Sequence, residues 1–369
     1  MAFDSFYIHE TESHISEKAL ERFRNQQLPR DTIMYTALSY GFGKIGIAKQ
    51  WLLTNQQINS IVANKDHDFR FVYYLLRVST PYIFSFNSGI DTPIVPKSVF
   101  EKIKLRAPSL PVQRKIAAVL SAYDDLIENN RRRIALLEKA AEELYREWFV
   151  RLRFPGHEQT KIVKGVPEGW EVKRIGDLGD YLNGYPFGPD DWKNEGLPII
   201  KIRELKQGID ENTPRNSGEL VPHHLHVIDG DILFSWSGSL EIALWHGGPG
   251  LLNQHLFRVI PRKAIPKGFL FLALKSSIPQ FAQLTTGATM QHIKRKELNH
   301  VKALIPGQEL LDSFEGLIAP ILETTMGIFR SISLLSTARD RLLSRLMAGK
   351  IDVEDLDIRF PASMREEAE

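Results

Sequence analysis

Residues 109–150 read SLPVQRKIAAVLSAYDDLIENNRRRIALLEKAAEELYREWFV. Within this stretch Ile116, Leu120, Tyr123, Ile127, Asn130, Ile134, Leu137, Ala141, Leu144 and Trp148 follow one another at alternating steps of four and three residues. Such spacing returns every one of these side chains to a single stripe of a helix, the seam of a coiled coil. A second stripe lies 198 residues further on, at Phe314, Ile318, Ile321, Thr325, Ile328, Ile332, Leu335, Arg339, Leu342 and Leu346. Two helices of this length, roughly 50 Å each at 1.5 Å per residue, would each leave an apolar stripe in water if alone. Pairing with one another buries both. Asn130 and Arg339 are polar seam positions, and such residues fix register. Pro320 is expected to kink or delimit the first turns of the second helix.

The offset of 198 extends well outside the helices. Asn55-Gln56 returns as Asn253-Gln254, Phe71 as Phe269, Gly89 as Gly287, Lys104 as Lys302 and Pro108 as Pro306. Further upstream, Asp31-Thr-Ile-Met-Tyr matches Asp231-Ile-Leu-Phe-Ser at an offset of 200, so a small length change falls in between. An ungapped register this long means the chain is written twice. The expected fold is therefore α+β: two similar mixed α/β domains, each followed by a long helix, the helices pairing as an antiparallel coiled coil with pseudo-twofold symmetry. The expected boundaries are 1–108 for the first domain, 109–152 for its helix and 153–169 for a Pro/Gly-containing linker. The second domain then spans 170–306, its helix 307–349 with Gly349 at the C′ position, and a charged, partly frayed tail 350–369. The counterpart of Gly169-Trp170 would fall before residue 1, so the first domain is expected to be N-terminally shortened.

Composition sets outer limits. The 369 residues are 43% hydrophobic and 25% charged, as in ordinary globular proteins. There is no cysteine, which excludes disulfides, thiolate catalysis and Cys-based zinc or iron–sulfur sites. No apolar run of roughly 18 residues and no secretory signal are evident, so a cytoplasmic location is expected. A net charge of +2 neither demands nor forbids nucleic acid, because a DNA reader that works with other subunits need not neutralise every phosphate itself.

One motif points elsewhere. In LSYGFGKIGIA (38–48), Gly41, Gly43 and Gly46 spell the G-x-G-x-x-G of a dinucleotide site, and Asp66 lies 20 residues beyond. The repeat argues against that use. The counterpart WSGSLEIA (236–243) keeps only Gly238, and the residues after Gly46, IAKQWLLTNQQI, read as a strand and turn rather than a helix start. The glycines are then the bend of a strand–loop–strand. HETESH (9–14) has its histidines five apart, off the H-E-x-x-H spacing, and HHLH (223–226) lacks further ligands nearby, so no metal site is expected. PDDWK (189–193) crowds its acidic residues too closely for a nuclease centre. No phosphate-binding loop and no Pro-Pro-aromatic methyltransferase tetrapeptide are present, so no catalytic residues and no cofactor are expected in this chain. Two alternatives stay open: a dinucleotide-dependent enzyme built on Gly41–Gly46, and a coiled-coil scaffold carrying two protein-binding modules.

Several segments in this order carry a resemblance. ISEKALERF (15–23), TNQQINSIV (54–62), APSLPVQRKIAAVLSAYDDLIENNRRRIALLEKA (107–140), LYREWFVRLRFPGHE (144–158) and VPEGWEVKRIGDLGDYLNG (166–184) together resemble the specificity (S) subunits of type I DNA restriction-modification systems. The resemblance covers essentially the whole chain and implies two target-recognition domains, each reading one half of a bipartite site in double-stranded DNA. It implies paired helices that set the half-site spacing and dock two methyltransferase (M) subunits, with restriction (R) subunits joining for cleavage. S-adenosylmethionine, ATP and Mg are then expected on those partners.

Base reading needs donors and acceptors beside cationic groups for phosphate. Candidates in the first half are Ser39, Tyr40, Phe42 and Lys44 in the glycine loop, Gln57 after the shared Asn-Gln, and Ser88, Thr92 and Lys97 around Gly89. In the second half they are Ser237, Ser239, His255, Thr289, Gln291, Lys294 and Lys296. Asn55 and Asn253 themselves, shared by both halves, read as scaffold. Trp236 reads as core, and Arg131, Arg132 and Arg133 as a solvated helix face.

Overall fold

The computed structural model describes residues 6–11, 14–38, 41–88, 93–284 and 295–365. In chain order the elements are β1 (Tyr7–Ile8), α1 (Glu17–Arg22), β2 (Ile33–Thr36), β3 (Ile45–Ala48), β4 (Ile58–Ile61), α2 (Phe69–Phe84), α3 (Lys97–Phe100) and α4 (Leu110–Tyr145). There follow β5 (Ile162–Val163), β6 (Val166–Pro167), β7 (Glu171–Arg174), β8 (Gly179–Asn183), β9 (Leu197–Ile200), α5 (Ile202–Gln207), β10 (Arg215–Asn216) and β11 (His226–Val227). Next come β12 (Ile232–Ser235), β13 (Glu241–Leu244), β14 (Gly250–Leu252), β15 (Leu256–Pro261), α6 (Lys267–Ser276) and α7 (Ile278–Gln283). The chain closes with β16 (Lys302–Ile305), α8 (Gln308–Met347) and α9 (Ala362–Arg365). Two compact units result: residues Met1–Arg131 with Ser331–Glu369, and residues Arg132–Arg330. The division passes through α4 and α8, so each unit owns part of both long helices.

In the first unit the sheet order is β1-β3-β2-β4, with β2 antiparallel to β3 and β4, and β1 parallel to β3. The strands are built from Ile33, Tyr35, Ile45 and Ile47, whose side chains pack on Phe71, Tyr74 and Leu76 of α2. Asp68 starts α2, its carboxylate accepting the backbone N–H groups of Arg70 and Phe71 at 3.0 Å, a side-chain N-cap. The same core takes Ile116 and Leu120 of α4 and Leu343 and Leu346 of α8, while Asp124 of α4 meets Arg339 of α8. Rising numbers on one helix meet falling numbers on the other, so within this unit the two run antiparallel.

The second unit repeats the arrangement with additions. Its main sheet runs β13-β12-β15-β8, all antiparallel, and a second sheet runs β10-β9-β14-β11. β7 pairs with β16 in a separate two-stranded ladder. The core is dominated by α6, whose residues Phe269 to Leu274 are all buried, and by Tyr145, Trp148 and Phe149 packed on Phe314 and Ile318 of α8. Here too the end of α4 meets the start of α8.

The ladders correct the upstream register. The N–H of Asp31 donates to Ala48 O (2.8 Å), and that of Gly230 donates to Trp245 O (2.7 Å). Both residues take left-handed backbone, φ 66° and 89°. Asp31 therefore corresponds to Gly230, not Asp231: β2 precedes β12 by 199 residues and β3 precedes β13 by 197. The β2–β3 loop of the first unit is thus two residues longer than β12–β13. Gly46 lies inside β3, so no helix follows the glycine triplet.

Every position of both predicted stripes is buried or half-buried, while Leu126, Leu136, Leu317 and Leu334, off the stripes, are exposed. α8 does not end at Pro320 but runs through it, with Thr324 Oγ1 donating to Pro320 O at 2.7 Å. An 18-residue window of α8 has mean hydropathy 1.3, long and apolar enough by length and composition to cross a bilayer, where no such span was expected. Its apolar stripe packs on protein in each unit. The tail also departs from expectation. Gly349 (φ 68°) closes α8, with Lys350 N–H donating to Arg345 O. Residues beyond it fold back on the first unit: Val353 is buried, Ile351, Ile358 and Met364 pack on the core, and Arg70 donates to Ser363 O at 2.7 Å. In the linker, β5 and β6 form a small hairpin around Lys164 and Gly165, both with positive φ.

Candidate nucleic-acid interface

In each unit the loop that follows β2 or β12 and the turn that precedes β4 or β15 lie at one end of the main sheet, because β2 and β12 run towards it and β4 and β15 run away from it. The turn ahead of β4 and that ahead of β15 are built alike. Asn55 Oδ1 accepts from Gln57 N–H (3.0 Å) and its carbonyl from Ile58 N–H; Asn253 Oδ1 accepts from His255 N–H (3.3 Å) and its carbonyl from Leu256 N–H. An asparagine that closes a turn on its own backbone is scaffold. The neighbours it presents, Gln57 (exposed) and His255 (half-buried), differ between the units.

In the second unit Ser235 sits at the end of β12, buried, and its hydroxyl donates to Ser237 O (3.2 Å) and Ser239 O (2.9 Å), pinning the loop 236–240. Ser237 is 2% exposed, so its side chain is enclosed and cannot reach a base from this position; Ser239 is exposed. Trp236 is half-buried rather than wholly core, its ring 5.9 Å from that of His255 and its indole N–H donating to Asn183 Oδ1 at 3.3 Å. Gly184 follows, and a Cβ there would lie 2.2 Å from Asn253 O, so only glycine lets the end of β8 pass this turn. Sequence reasoning missed Asn183, which this crossing brings beside Trp236. His255 Nδ1 is buried without a hydrogen-bond partner among the described residues.

In the first unit, Gly43 N–H donates to Thr36 O and Thr36 N–H to Lys44 O. Gly43 has φ 81°, and a Cβ on it would stand 2.6 Å from Thr80 Cγ2, so glycine seats the loop against α2. Phe42 is used for packing: its ring meets Tyr35 at 6.0 Å and Phe84 at 5.0 Å, edge to face, which takes it away from a DNA-facing role. Lys44 is half-buried. The segment starting at Asn87 is anchored beside this loop. Asn87 Oδ1 accepts from Ile94 N–H, Ser88 N–H donates to Ile94 O, and Val95 N–H donates to Ala37 O. Ser88 and Lys97 are exposed there.

Ser39, Tyr40, Thr92, Thr289, Gln291 and Lys294 lie outside the described residues. Lys296 is exposed, 3.9 Å from Glu297. Of the arginine triplet, Arg132 and Arg133 are exposed and Arg131 half-buried. Among the described residues no cluster of three or more His, Asp or Glu is arranged to hold a metal; His226 Nε2 instead contacts Val221 O at 3.3 Å.

The family model for the type I restriction modification DNA specificity domain matches residues 5–139 and again 167–325. The type I restriction enzyme MjaIX specificity subunit of Methanocaldococcus jannaschii is 29% identical over 369 residues, spanning 96% of this chain and 85% of that protein. The HindI specificity subunit of Haemophilus influenzae is 23% identical over 77% of each chain. Among solved structures, the S subunit of a type I restriction-modification system from M. genitalium superposes with a TM-score of 0.50 at 17% identity, covering 86% of this chain and 83% of that one, a likeness of fold. With the same model matched by both halves, the chain belongs to the type I restriction modification DNA specificity domain family.

Proposed function

We propose that this chain is the sequence-reading subunit of a type I restriction-modification complex, each unit reading one half of a bipartite DNA target. One observation carries this: the same frame is built twice, and the residues offered at the same end of each sheet differ. Gln57 stands where the other unit has His255, and a loop two residues longer stands where the other has Trp236 and Ser239. A shared scaffold with divergent loops is how one fold comes to read two sequences. The long helices supply docking surface for two M subunits and the spacing between half-sites. Methyl transfer with S-adenosylmethionine, and ATP- and Mg-dependent cleavage with R subunits, belong to those partners. The strand after Gly46 removes the support for the dinucleotide alternative.

The test is a methylome of cells expressing the chain with its M partner. A split adenine-methylated motif is expected, and exchanging residues 236–240 for another loop should change one half of that motif only. Absence of a split motif, or loss of both halves together, overturns the proposal.

A further inference from the structure

A hydrogen-bond donor discriminates between bases only if its direction is fixed. In the second unit the side chain of His255 meets that condition. Its backbone N–H donates to Asn253 Oδ1 at 3.3 Å, and its ring lies 5.9 Å from that of Trp236, inclined by 43°. Trp236 is fixed in turn. Its ring is 5.8 Å from that of Phe257, inclined by 32°, and its indole N–H donates to Asn183 Oδ1 at 3.3 Å. Asn183 ends β8 directly opposite Phe257 in the ladder, so the backbone of two paired strands sets where this acceptor stands. The Trp–His pair therefore sits, half-buried, at the end of the sheet that carries the loop 236–240 and the turn before β15.

The two ring nitrogens of His255 are not equivalent. Of the two, only Nδ1 is enclosed without a hydrogen-bond partner among the described residues. An imidazole with one N–H carries it on either nitrogen. On Nδ1 the proton would be a donor stranded inside the protein, which costs free energy; on Nε2 it faces a group that can accept it. The ring is thus set to offer a single donor.

We infer that His255 reads guanine, donating from Nε2, and that Asn183 is a positioning residue that acts on it through Trp236. Guanine presents two acceptors, O6 and N7, side by side on its major-groove edge. Cytosine presents only an amine, adenine sets an amine beside its one acceptor, and thymine a methyl group. Gln57, on the matching turn of the first unit, carries a donor and an acceptor together, the pattern that suits adenine. The inference rests on the DNA-reading role proposed above and adds to it a base and the residues that select it.

The experiment is a methylome series in cells expressing the full-length chain with its M partner. Wild type should give a split motif with an invariant G·C pair in the half that responds to exchange of residues 236–240. His255→Gln installs the side chain that the first unit carries on the same turn, and should admit adenine at that pair. His255→Ala should lower the preference for guanine there about tenfold. Asn183→Leu removes the acceptor of the indole N–H and should loosen the same position, while Asn183→Asp, which keeps an oxygen there, should retain the wild-type motif. A purely structural role would lower methylation at all sites alike and leave the bases of the motif unchanged. An unchanged motif in both His255 variants, beside a split wild-type motif, overturns the inference and leaves the DNA-reading role standing. So does a responding half without an invariant G·C pair. An unchanged motif in Asn183→Leu alone overturns the positioning role. Absence of any split motif in wild type overturns both readings.

Discussion

Arg339 is a charge carried into the first unit's interior, and its surroundings show why it is tolerated. It bonds Asp124 Oδ1 at 2.5 Å and Asp340 at 2.9 Å, and Asp124 Oδ2 accepts from Tyr74 Oη at 2.5 Å. Burial alone would push the Arg339 guanidinium down, yet Asp124 and Asp340 hold it above its ordinary range. Burial, then Asp124, pushes the Tyr74 phenol well up. Arg339→Ala leaves the Asp124 carboxylate buried without its countercharge and should cost about 3–5 kcal/mol in urea unfolding. Replacing Asp124 and Arg339 by Leu, with Tyr74→Phe to remove the stranded hydroxyl, should recover most of that. A second residue has a pH signature. Burial, ahead of the opposing pull of Lys275, raises the Glu138 carboxyl, and Glu142 and Glu241 raise it further. Its folded pKa lies above the unfolded one, so its stabilising protonated form prevails below about pH 4 and is lost as pH rises through the raised value. Glu138→Gln should therefore melt higher than wild type at pH 7, with the difference closing near pH 4; a lower melt at pH 7 refutes this. Arg339 could be picked out as polar in the stripe, but its partners could not, since Asp124 lies 215 residues away and off the stripe. Ser237 was misjudged for a related reason: polarity reveals nothing of a neighbouring hydroxyl, that of Ser235, which holds its loop inward.

Among the elements, α8 is the one most at odds with a simple rule. Proline in a helix removes one backbone bond and costs about 3 kcal/mol, but the tertiary contacts of Phe314 and Ile318 on one side of Pro320 and Thr325 on the other keep the helix going. Pro320→Ala should raise stability by about 1–3 kcal/mol in thermal or urea unfolding. The tail is the converse case, an element that composition undervalues. Its charges read as a frayed end, while its sparse apolar residues, Ile351, Val353, Ile358 and Met364, are what dock. Ending the chain at Gly349 uncovers that core and takes from the buried Arg70 its acceptor at Ser363 O. The first unit should lose on the order of 3–5 kcal/mol, seen as an earlier transition in denaturant. The heptad stripes were legible because a seam repeats over many turns. The two-residue β1 was not, because its pairing with β3 is set by contacts such as Phe6 on Tyr73 that no local pattern encodes.

For the whole molecule, the internal duplication was the most informative part of the sequence, and its limits are instructive. The offset of 198 placed both Asn turns and both connecting helices, yet one residue of slip remained upstream until Asp31 and Gly230 were seen to share a backbone conformation. Side-chain identity there pointed to Asp231, whereas the ladder obeys hydrogen bonding. Within the candidate interface, the enclosure of Ser237 and the packing of Phe42 on Tyr35 and Phe84 were not legible in the sequence, because both depend on tertiary neighbours. With a net charge of only +2, the chain alone should bind DNA weakly and with a shallow dependence of log K on log salt. Adding the M partner should steepen that slope along with the affinity; an unchanged slope in filter binding would mean the partner adds no phosphate contacts.

The outer edge of β4, which carries no strand among the described residues, also governs how the chain behaves in a tube. Val62, just past that strand, is 56% exposed, and among the described residues no strand pairs with β4 on its outer side, the arrangement that seeds edge-to-edge aggregation. A concentrated preparation of the chain by itself should scatter light increasingly on storage. Val62→Lys, a gatekeeper charge on a solvent-facing position, should slow that growth without moving the melting of the second unit. Shelf life, and not only recognition, is thus written into one strand of the first sheet.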